Sequence, residues 1–399
     1  MLAWAAPALA DFPFQASVVE APTRSFGDAA YETLEEIVWR LDERLQAEGS
    51  GVIAEPLYIG EVFSNTRGGI STKDATQFQA LLDLPLTFDF REMLSPLPGR
   101  FFLLAQNTHG RGLTDDFVGD TQVLSNIDSF KNIARVSEFW WEVSTWDERL
   151  ILRLGKQDVN TEFLFIDLAD DFIQSTFGLS PSTAFPTYPD PSMGAVLLIE
   201  PNEKWRWKIG IWDAFSTGGN WGFSGNDTIL LISELEYRYR LGGGALPGML
   251  TVGAIYESAG EREGEFFSPV HEYVVQVEQW VYREAMPAGD RPQGLAVFAG
   301  YYPRFPGDSV PAESVGDSYV AGCSYRGLLP LRDHDEIGFG IAWTELFQGG
   351  TNQETAVELY YDMRVTPRLN LQPDLQYIAT PSGIHRDSLV FGVRFELRM

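Results

Sequence analysis

Residues 78–90 read F-Q-A-L-L-D-L-P-L-T-F-D-F, and this stretch shows the pattern that decides the fold class. Apolar residues hold every second position from Phe78 to Phe90, whereas Gln79 and Asp83 fall on the alternate positions. Successive side chains of a β-strand point to opposite faces. The alternation therefore predicts a strand with one apolar and one polar face.

The same alternation recurs to the end of the chain. In 205–212, for example, Trp205 and Trp207 alternate with Arg206 and Lys208. Counting such segments predicts about sixteen strands, within the range of outer-membrane barrels. The predicted spans are 51–62, 76–90, 99–108, 134–146, 149–156, 194–201, 204–214, 228–241, 247–258, 272–284, 293–302, 317–327, 335–346, 353–365, 368–379 and 388–399.

The connections between these strands alternate in length. The long ones include 63–75, 109–133, 157–193 and 215–227, and the short ones include 91–98, 146–148, 201–203 and 242–244. Alternating long loops and short turns are typical of an antiparallel up-and-down barrel. An even strand count places both barrel termini at the end with the short turns, which we expect to face the periplasm.

The apolar faces indicate lipid rather than a second sheet as their partner. Trp or Tyr stands near strand ends at Trp205, Tyr239, Tyr301 and Tyr377, as in the aromatic girdles of membrane barrels. The sequence holds no apolar run of about 18 residues, which a membrane-spanning helix would need. Only helices and closed barrels satisfy every backbone group in lipid, so we predict an all-β transmembrane barrel.

Composition excludes several other classes of protein. The net charge of −27 disfavours nucleic-acid binding. The single cysteine, Cys323, permits no disulfide within the chain. Four histidines form no H-E-x-x-H pattern, and no G-x-S-x-G elbow or phosphate-binding loop occurs. We therefore predict that the protein is not an enzyme.

The first fifty residues have a different character. Residues 1–10 end in Ala-Leu-Ala before Asp11 and are interpreted as a signal-peptide remnant. Within 11–50, apolar residues at helical spacing predict an amphipathic helix over 27–48, which either packs inside the barrel or lies in the periplasm. The barrel itself is assigned to 51–399.

Four stretches carry a resemblance to a known family. They are L-R-L-G-K-Q-D at 152–158, G-L-L-P-L-R-D-H-D-E-I-G-F-G at 327–340, E-L-Y-Y at 358–361 followed by L-Q-P-D-L-Q-Y at 371–377, and L-V-F-G-V-R at 389–394. In this order and at these strand positions, the chain resembles the carbohydrate-selective porins of the OprB type. The apolar alternation up to Met399 also resembles the assembly signal of outer-membrane proteins, although that signal normally ends in Phe.

The resemblance implies passive diffusion of mono- and oligosaccharides through a channel that aromatic, arginine and acidic side chains narrow. It also implies that the loop at about 157–193 folds inward as a constriction. The alternate positions of each strand that carry polar or aromatic residues are then predicted to face the channel lumen. Any one of these residues is more often a solvated residue of the inner wall than a sugar contact. The predicted lumen residues are Trp140, Arg153, Arg206, Trp212, Glu234, Glu236, Arg238, Arg240, Trp280, Tyr282, Glu358, Tyr360, Asp362, Arg364, Gln376 and Arg394.

Two further groups belong to the constriction loop. Lys156, Asp158 and Asn160 at its base are predicted to anchor it. The acidic run Asp167, Asp170 and Asp171 is a weak candidate for a structural calcium ion, with a solvated acidic loop as the commoner explanation. No other cofactor is predicted.

The expected partners are small sugars, outer-membrane lipid and lipopolysaccharide, and the outer-membrane assembly machinery. A monomer is favoured over a trimer, and the bacterial outer membrane is the expected location. A general or cation-preferring porin of the same fold is the nearest alternative, followed by an outer-membrane enzyme and a soluble all-β sugar-binding protein.

Overall fold

The computed structural model describes residues 51–90, 98–181, 185–214, 228–262, 265–284, 292–306, 315–347 and 350–399. The predicted signal segment 1–10 and helix 27–48 lie outside the described residues. Among the residues that are described, no helix has the length and apolar character required to cross a membrane.

The main sheet is antiparallel and closes on itself. Within the described ranges, its 18 strands include two short ones, Val52–Ala54 and Arg304–Pro306, which leaves sixteen for the barrel wall. In chain order these are β1 (Leu57–Gly69), β2 (Thr76–Asp89), β3 (Arg100–Gly110), β4 (Ala134–Thr145), β5 (Leu150–Gln157), β6 (Ser192–Asn202), β7 (Trp205–Asp213), β8 (Ile229–Leu241), β9 (Leu246–Glu257), β10 (Val270–Arg283), β11 (Gly294–Tyr302), β12 (Val315–Arg326), β13 (Glu336–Leu346), β14 (Gln353–Arg364), β15 (Leu369–Ala379) and β16 (Arg386–Arg398).

Each strand pairs with its neighbour along the chain, and the last strand closes the barrel on the first. Val62 of β1 lies opposite Phe78 of β2 on one side and opposite Val393 of β16 on the other. Closure pairs β1 with both β2 and β16, so the described strands leave no open edge between the first strand and the last. The predicted sixteen-stranded barrel is confirmed.

The first strand differs from its predicted span of 51–62. The short strand Val52–Ala54 pairs with the end of β2, and the continuous strand β1 begins at Leu57 and reaches Gly69. Pairing with β16 extends β1 through polar residues such as Asn65, because ladder hydrogen bonds do not depend on side-chain polarity. Side-chain alternation alone therefore predicts the end of this strand too early in the chain.

The outer face carries the apolar side chains. Trp207, Leu235 and Phe391 are exposed on it, as residues that meet lipid must be. Tyr301 and Tyr319 stack on neighbouring strands with ring centroids 4.5 Å apart. The opposite face points inward and is rich in charged and amide side chains.

The two ends of the barrel are distinct. The short-turn end carries connections such as 203–204 and 242–245, and there the first residue of β1, Leu57, lies opposite Arg398 of β16. The long-loop end carries 111–133 and 158–191. Both of these long connections enter the barrel, which brings them against the polar inner wall.

Candidate functional site in the barrel lumen

The constriction loop, residues 158–191, follows β5 and is fixed at its base by its own polar side chains. The Asp158 carboxylate accepts the backbone N–H of Asn160 at 2.7 Å and that of Tyr188 at 2.8 Å. The Asn160 amide donates to the carbonyls of Phe163 and Gly178. Asp158 and Asn160 thus tie both arms of the loop together, while Lys156 at the end of β5 is buried.

Wall glutamates hold the backbone of the loop further along. Glu234 of β8 accepts the N–H of Leu164 at 2.9 Å, and Glu278 of β10 accepts that of Leu168 at 2.8 Å. A carboxylate that accepts a backbone N–H makes a stronger hydrogen bond than a neutral acceptor does. These hydrogen bonds therefore fix the loop against the inner wall from β8 to β10.

Apolar side chains of the loop fill the space behind it. Phe172 and Phe177 pack together with ring centroids 4.4 Å apart, and Phe172 meets Phe298 of β11 and Tyr360 of β14 edge-on. All four are buried. Burying such side chains provides roughly 1.5–3 kcal/mol each, so the loop is a packed part of the barrel.

A second connection also enters the lumen, which the sequence did not predict. The backbone N–H groups of Thr121 and Gln122 donate to the Glu354 carboxylate of β14, each at 2.8 Å. Ser125 donates to Glu61 of β1 at 2.7 Å. Among the residues that the structure describes, the loops 111–133 and 158–191 therefore narrow the lumen.

A chain of alternating charges runs along the inner wall from β3 to β7. Arg100 pairs with Glu142, and the Arg153 guanidinium lies 2.8 Å from Glu142 and 2.9 Å from Glu162. Glu162, which belongs to the constriction loop, lies 3.2 Å from Arg206. We call Arg100, Glu142, Arg153, Glu162 and Arg206 the ion-pair chain.

Lys208 of β7 continues this arrangement towards β8. Its ammonium lies 2.6 Å from Glu234 and 2.7 Å from Glu236, and it donates to the Glu162 carbonyl at 2.6 Å. Glu236 in turn pairs with Arg238 at 3.3 Å. Each charge on this part of the wall thus has an opposite charge beside it, so the wall is dense in polar groups while its charges largely cancel.

An aromatic stack adjoins the ion-pair chain. The rings of Phe102 and Trp140 stack with centroids 4.6 Å apart, and the Arg153 guanidinium lies 4.3 Å from the Trp140 ring centroid. Neighbouring strands are about 4.8 Å apart, so flat side chains on adjacent strands stack across the wall. Trp140 thus packs against both Phe102 and Arg153 and is half-buried.

The predicted lumen residues differ in how deeply they are buried. Trp212 is fully buried: its indole N–H donates to the Gln157 carbonyl at 3.2 Å and its ring meets Phe163 edge-on. The other buried members are Arg153, Arg206, Glu234, Glu236, Glu358, Tyr360, Gln376 and Arg394. Less covered are Trp140, Arg238, Arg240, Trp280, Asp362 and Arg364.

Tyr282 lies on the outer face, contrary to its predicted place in the lumen. The register of β10 shifts between Trp280, opposite the inward Ala296, and Tyr282, opposite Leu295. The Tyr282 ring accordingly lies 6.4 Å from that of Tyr325. One extra residue in a β-bulge reverses the facing of every side chain that follows.

Several buried members hold the loops rather than line an open path. Glu358 accepts the N–H groups of Ile173 and Gln174 at 2.7 and 2.9 Å. Gln376 donates to the Leu124 carbonyl at 3.0 Å. The buried Arg394 pairs with Glu61, the carboxylate that also accepts a hydrogen bond from Ser125 of the loop 111–133.

The acidic residues of the constriction loop face different neighbours. Burial, then the charge of Glu236, raises the pKa of Asp167 to about 6. Burial also raises the pKa of Asp170 to about 7, and burial with Glu336 nearby holds that of Asp171 well above its usual range.

Within the described ranges, no group of three or more His, Cys, Asp or Glu side chains is arranged to hold a metal ion. The calcium hypothesis for Asp167, Asp170 and Asp171 stays a prediction.

Sequence reasoning missed other important residues of the site. Glu138, Glu142 and Lys208 stand on the predicted polar faces, so parity alone could have found them. Glu162 lies in a loop, and Glu61 lies in the strand with the poorest pattern, so neither had a sequence signal.

A closed sixteen-stranded barrel with an apolar outer face and inward-folded loops defines the class of protein as an outer-membrane porin. Residues 98–399 match the family model described as "Carbohydrate-selective porin, OprB family", and the chain belongs to that family. It is thus an outer-membrane channel for carbohydrates.

Individual relatives agree with this assignment. Porin B of Pseudomonas aeruginosa is 24% identical, over 85% of this chain and 86% of that protein. The high-pH structure of Pseudomonas putida OprB superposes with a TM-score of 0.76 at 20% identity, over 92% of this chain and 97% of that one. A mutant of the Rh. blastica porin shares the fold with a TM-score of 0.53 at 12% identity, over 87% of this chain and all of that one.

Proposed function

We propose that the channel selects neutral mono- and small oligosaccharides and that it does so with paired rather than single charges. The observation that carries this proposal is the position of Arg153 between Glu142 and Glu162. Sugar hydroxyls both donate and accept hydrogen bonds, so a wall of adjacent donors and acceptors suits them. Opposite charges in contact attract ions weakly, because their fields cancel beyond a few ångströms.

The aromatic stack supports the same proposal. The half-buried Trp140 ring lies beside Arg153, which pairs with Glu142, so a sugar passing there meets apolar and polar surface together. Binding at such a site is expected to be weak, which transport requires because the sugar must leave on the far side.

The experiment is single-channel conductance in planar bilayers during titration with glucose and then with disaccharides. Small steps that millimolar glucose blocks, with a reversal potential near zero in a KCl gradient, are the expected result. Steps that no sugar blocks, combined with a clear cation preference, would instead indicate a general cation-preferring porin of the same fold.

We further propose that both barrel termini face the periplasm and that the protein works as a monomer. The position of Leu57 and Arg398 at the short-turn end supports this orientation. Cysteine labelling of intact cells, at Lys73 of the long-loop end and at Gly243 of the short-turn end, distinguishes the two orientations. The molar mass in detergent measures the oligomeric state.

The proposed partners beyond sugars follow from the barrel surface. The exposed apolar outer face fits outer-membrane lipid and lipopolysaccharide. The alternating segment from Phe391 to Met399 ends β16 and fits recognition by the outer-membrane assembly machinery. We propose no cofactor and no catalytic activity.

A further inference from the structure

An aromatic side chain stands exposed near the end of the second inward loop. Phe130 is 53% exposed, and its backbone adopts the left-handed conformation with a φ of 55°. This conformation is uncommon for residues other than glycine and costs free energy that the surroundings must offset. Such an outlier in an exposed aromatic residue motivates a search for a function.

The surrounding hydrogen bonds fix Phe130 in this position. The Asp128 carboxylate accepts the Phe130 N–H at 3.0 Å, and the Ser129 hydroxyl donates to Thr108 of β3 at 2.9 Å. The Lys131 ammonium next to it lies 2.6 Å from Asp190 of the constriction loop. Phe130 is thus displayed by a rigid turn that both inward loops support.

Phe130 lines a cleft of about 310 Å³ at the long-loop end of β2 and β3. The other lining side chains are mostly polar and include Gln79, Thr108, Arg111, Asp116 and Asp128. Arg111 and Asp116 are paired with each other. The volume is at the lower end of the range of about 300–1,000 Å³ for small-molecule sites, which suits a monosaccharide.

The cleft adjoins the interior of the barrel. Ile127 lines it and packs against Leu81, and Tyr188 packs against the same cluster. Leu81 and Tyr188 also line a smaller cavity of about 40 Å³, together with Asn126 and Glu138. The cleft therefore lies next to a part of the barrel interior that residues of both loops line.

We propose that this cleft is an entry site in which a saccharide stacks on the Phe130 ring while Asp128 and Gln79 bind its hydroxyls. A flat aromatic face beside several donors and acceptors matches the apolar and polar faces of a sugar ring. The inference rests on the proposed function, since it assigns to the channel a second sugar-binding place outside the ion-pair chain.

The test compares F130A and D128N with F305A in planar bilayers, with sugar added to one side at a time. Phe305 is a matched control, because it is 57% exposed and follows β11 at the long-loop end, where its ring packs on Tyr273 rather than in the cleft. Open-channel conductance serves as the folding control for each variant.

We expect F130A to slow association of glucose added from the long-loop side by about fivefold, the effect of losing one aromatic contact. D128N is also expected to slow this association of glucose. In F305A the association rate should equal that of the wild type. Sugar added from the short-turn side should associate at the wild-type rate in all variants.

Unchanged association in F130A would overturn the entry site, as would an equal loss from both sides. If F130A altered competition by purified lipopolysaccharide while leaving free glucose unaffected, the cleft would bind membrane glycolipid and the proposal would also fail. A wild-type channel that no sugar blocks would contradict the proposed function itself. This outcome differs from failure of the entry site alone, in which sugar still blocks the wild-type channel.

Discussion

The carboxylate of Glu358, on the inner face of β14, accepts the backbone N–H of Ile173 in the constriction loop at 2.7 Å. The same carboxylate accepts the next N–H, that of Gln174, at 2.9 Å. Glu354, Glu234 and Glu278 hold other loop N–H groups in the same manner. Much of the inner wall therefore positions the loops, and the loops in turn define the path that a sugar can take.

We predict that E358A widens the channel. The substitution leaves two buried backbone N–H groups without an acceptor, which costs about 1–3 kcal/mol for each. Single-channel conductance should rise and its fluctuations should increase, whereas E358Q, which keeps one acceptor oxygen, should have a smaller effect. Identical conductance in wild type and E358A would show that the loop is held by its apolar packing alone.

We predict that E162Q makes the channel prefer anions. Glu162 is the shared partner of Arg153 and Arg206, so neutralising it leaves an excess of positive charge in the wall. The reversal potential in a KCl gradient should shift towards that of chloride. The control is E203Q in the exposed 203–204 turn, and an equal shift in both variants would contradict the special role of Glu162.

We predict different consequences for two tryptophans. W212A removes a fully buried ring and should cost about 3–5 kcal/mol, which lowers the temperature at which the barrel unfolds in detergent. W140A removes a half-buried ring beside Arg153 and should mainly weaken glucose block. Reversed outcomes, with glucose block lost in W212A and a less stable W140A, would contradict the assignment of their roles.

We predict that acidification shifts the ion preference of the channel towards anions. Burial raises the pKa of Asp128 and Asp167 to about 6 and that of Asp170 to about 7. Lowering the pH from 8 to 5 should therefore protonate these carboxyl groups and remove negative charge from the loops. Because the folded state binds these protons more tightly than the unfolded chain, the same change should favour the folded loops.

The measurement is the KCl reversal potential as a function of pH, with D128N as the comparison. D128N should retain only part of the pH-dependent shift. A reversal potential that stays constant between pH 8 and pH 5 would show that these carboxyl groups do not influence the permeating ions.

Residues 78–90 illustrate how much of the fold the sequence predicts. Their alternation identified β2 and the facing of its side chains, because lipid on one side and polar groups on the other impose a period of two. The same reasoning found the other strands from 134 onward. It failed at Tyr282, where one extra residue in β10 reversed the facing.

The candidate site was less predictable, since it depends on contacts between distant parts of the chain. Parity placed Arg153, Arg206 and Glu358 on the inner wall. It could not show that Glu162 joins the two arginines, nor that Glu358 binds loop backbone rather than sugar. A loop without periodic pattern gives no signal for the wall residues it will meet.

The sequence by itself determined the barrel, its strand count, its outer and inner faces and its family resemblance, because these follow from local periodicity and short motifs. Only the tertiary structure decided which inner residues the loops cover, that the 111–133 connection enters the lumen, and that Phe130 stands over a cleft. The physical reason is that loop positions are fixed by hydrogen bonds and packing across the barrel, such as those of Glu354 and Glu61, between residues far apart in the chain.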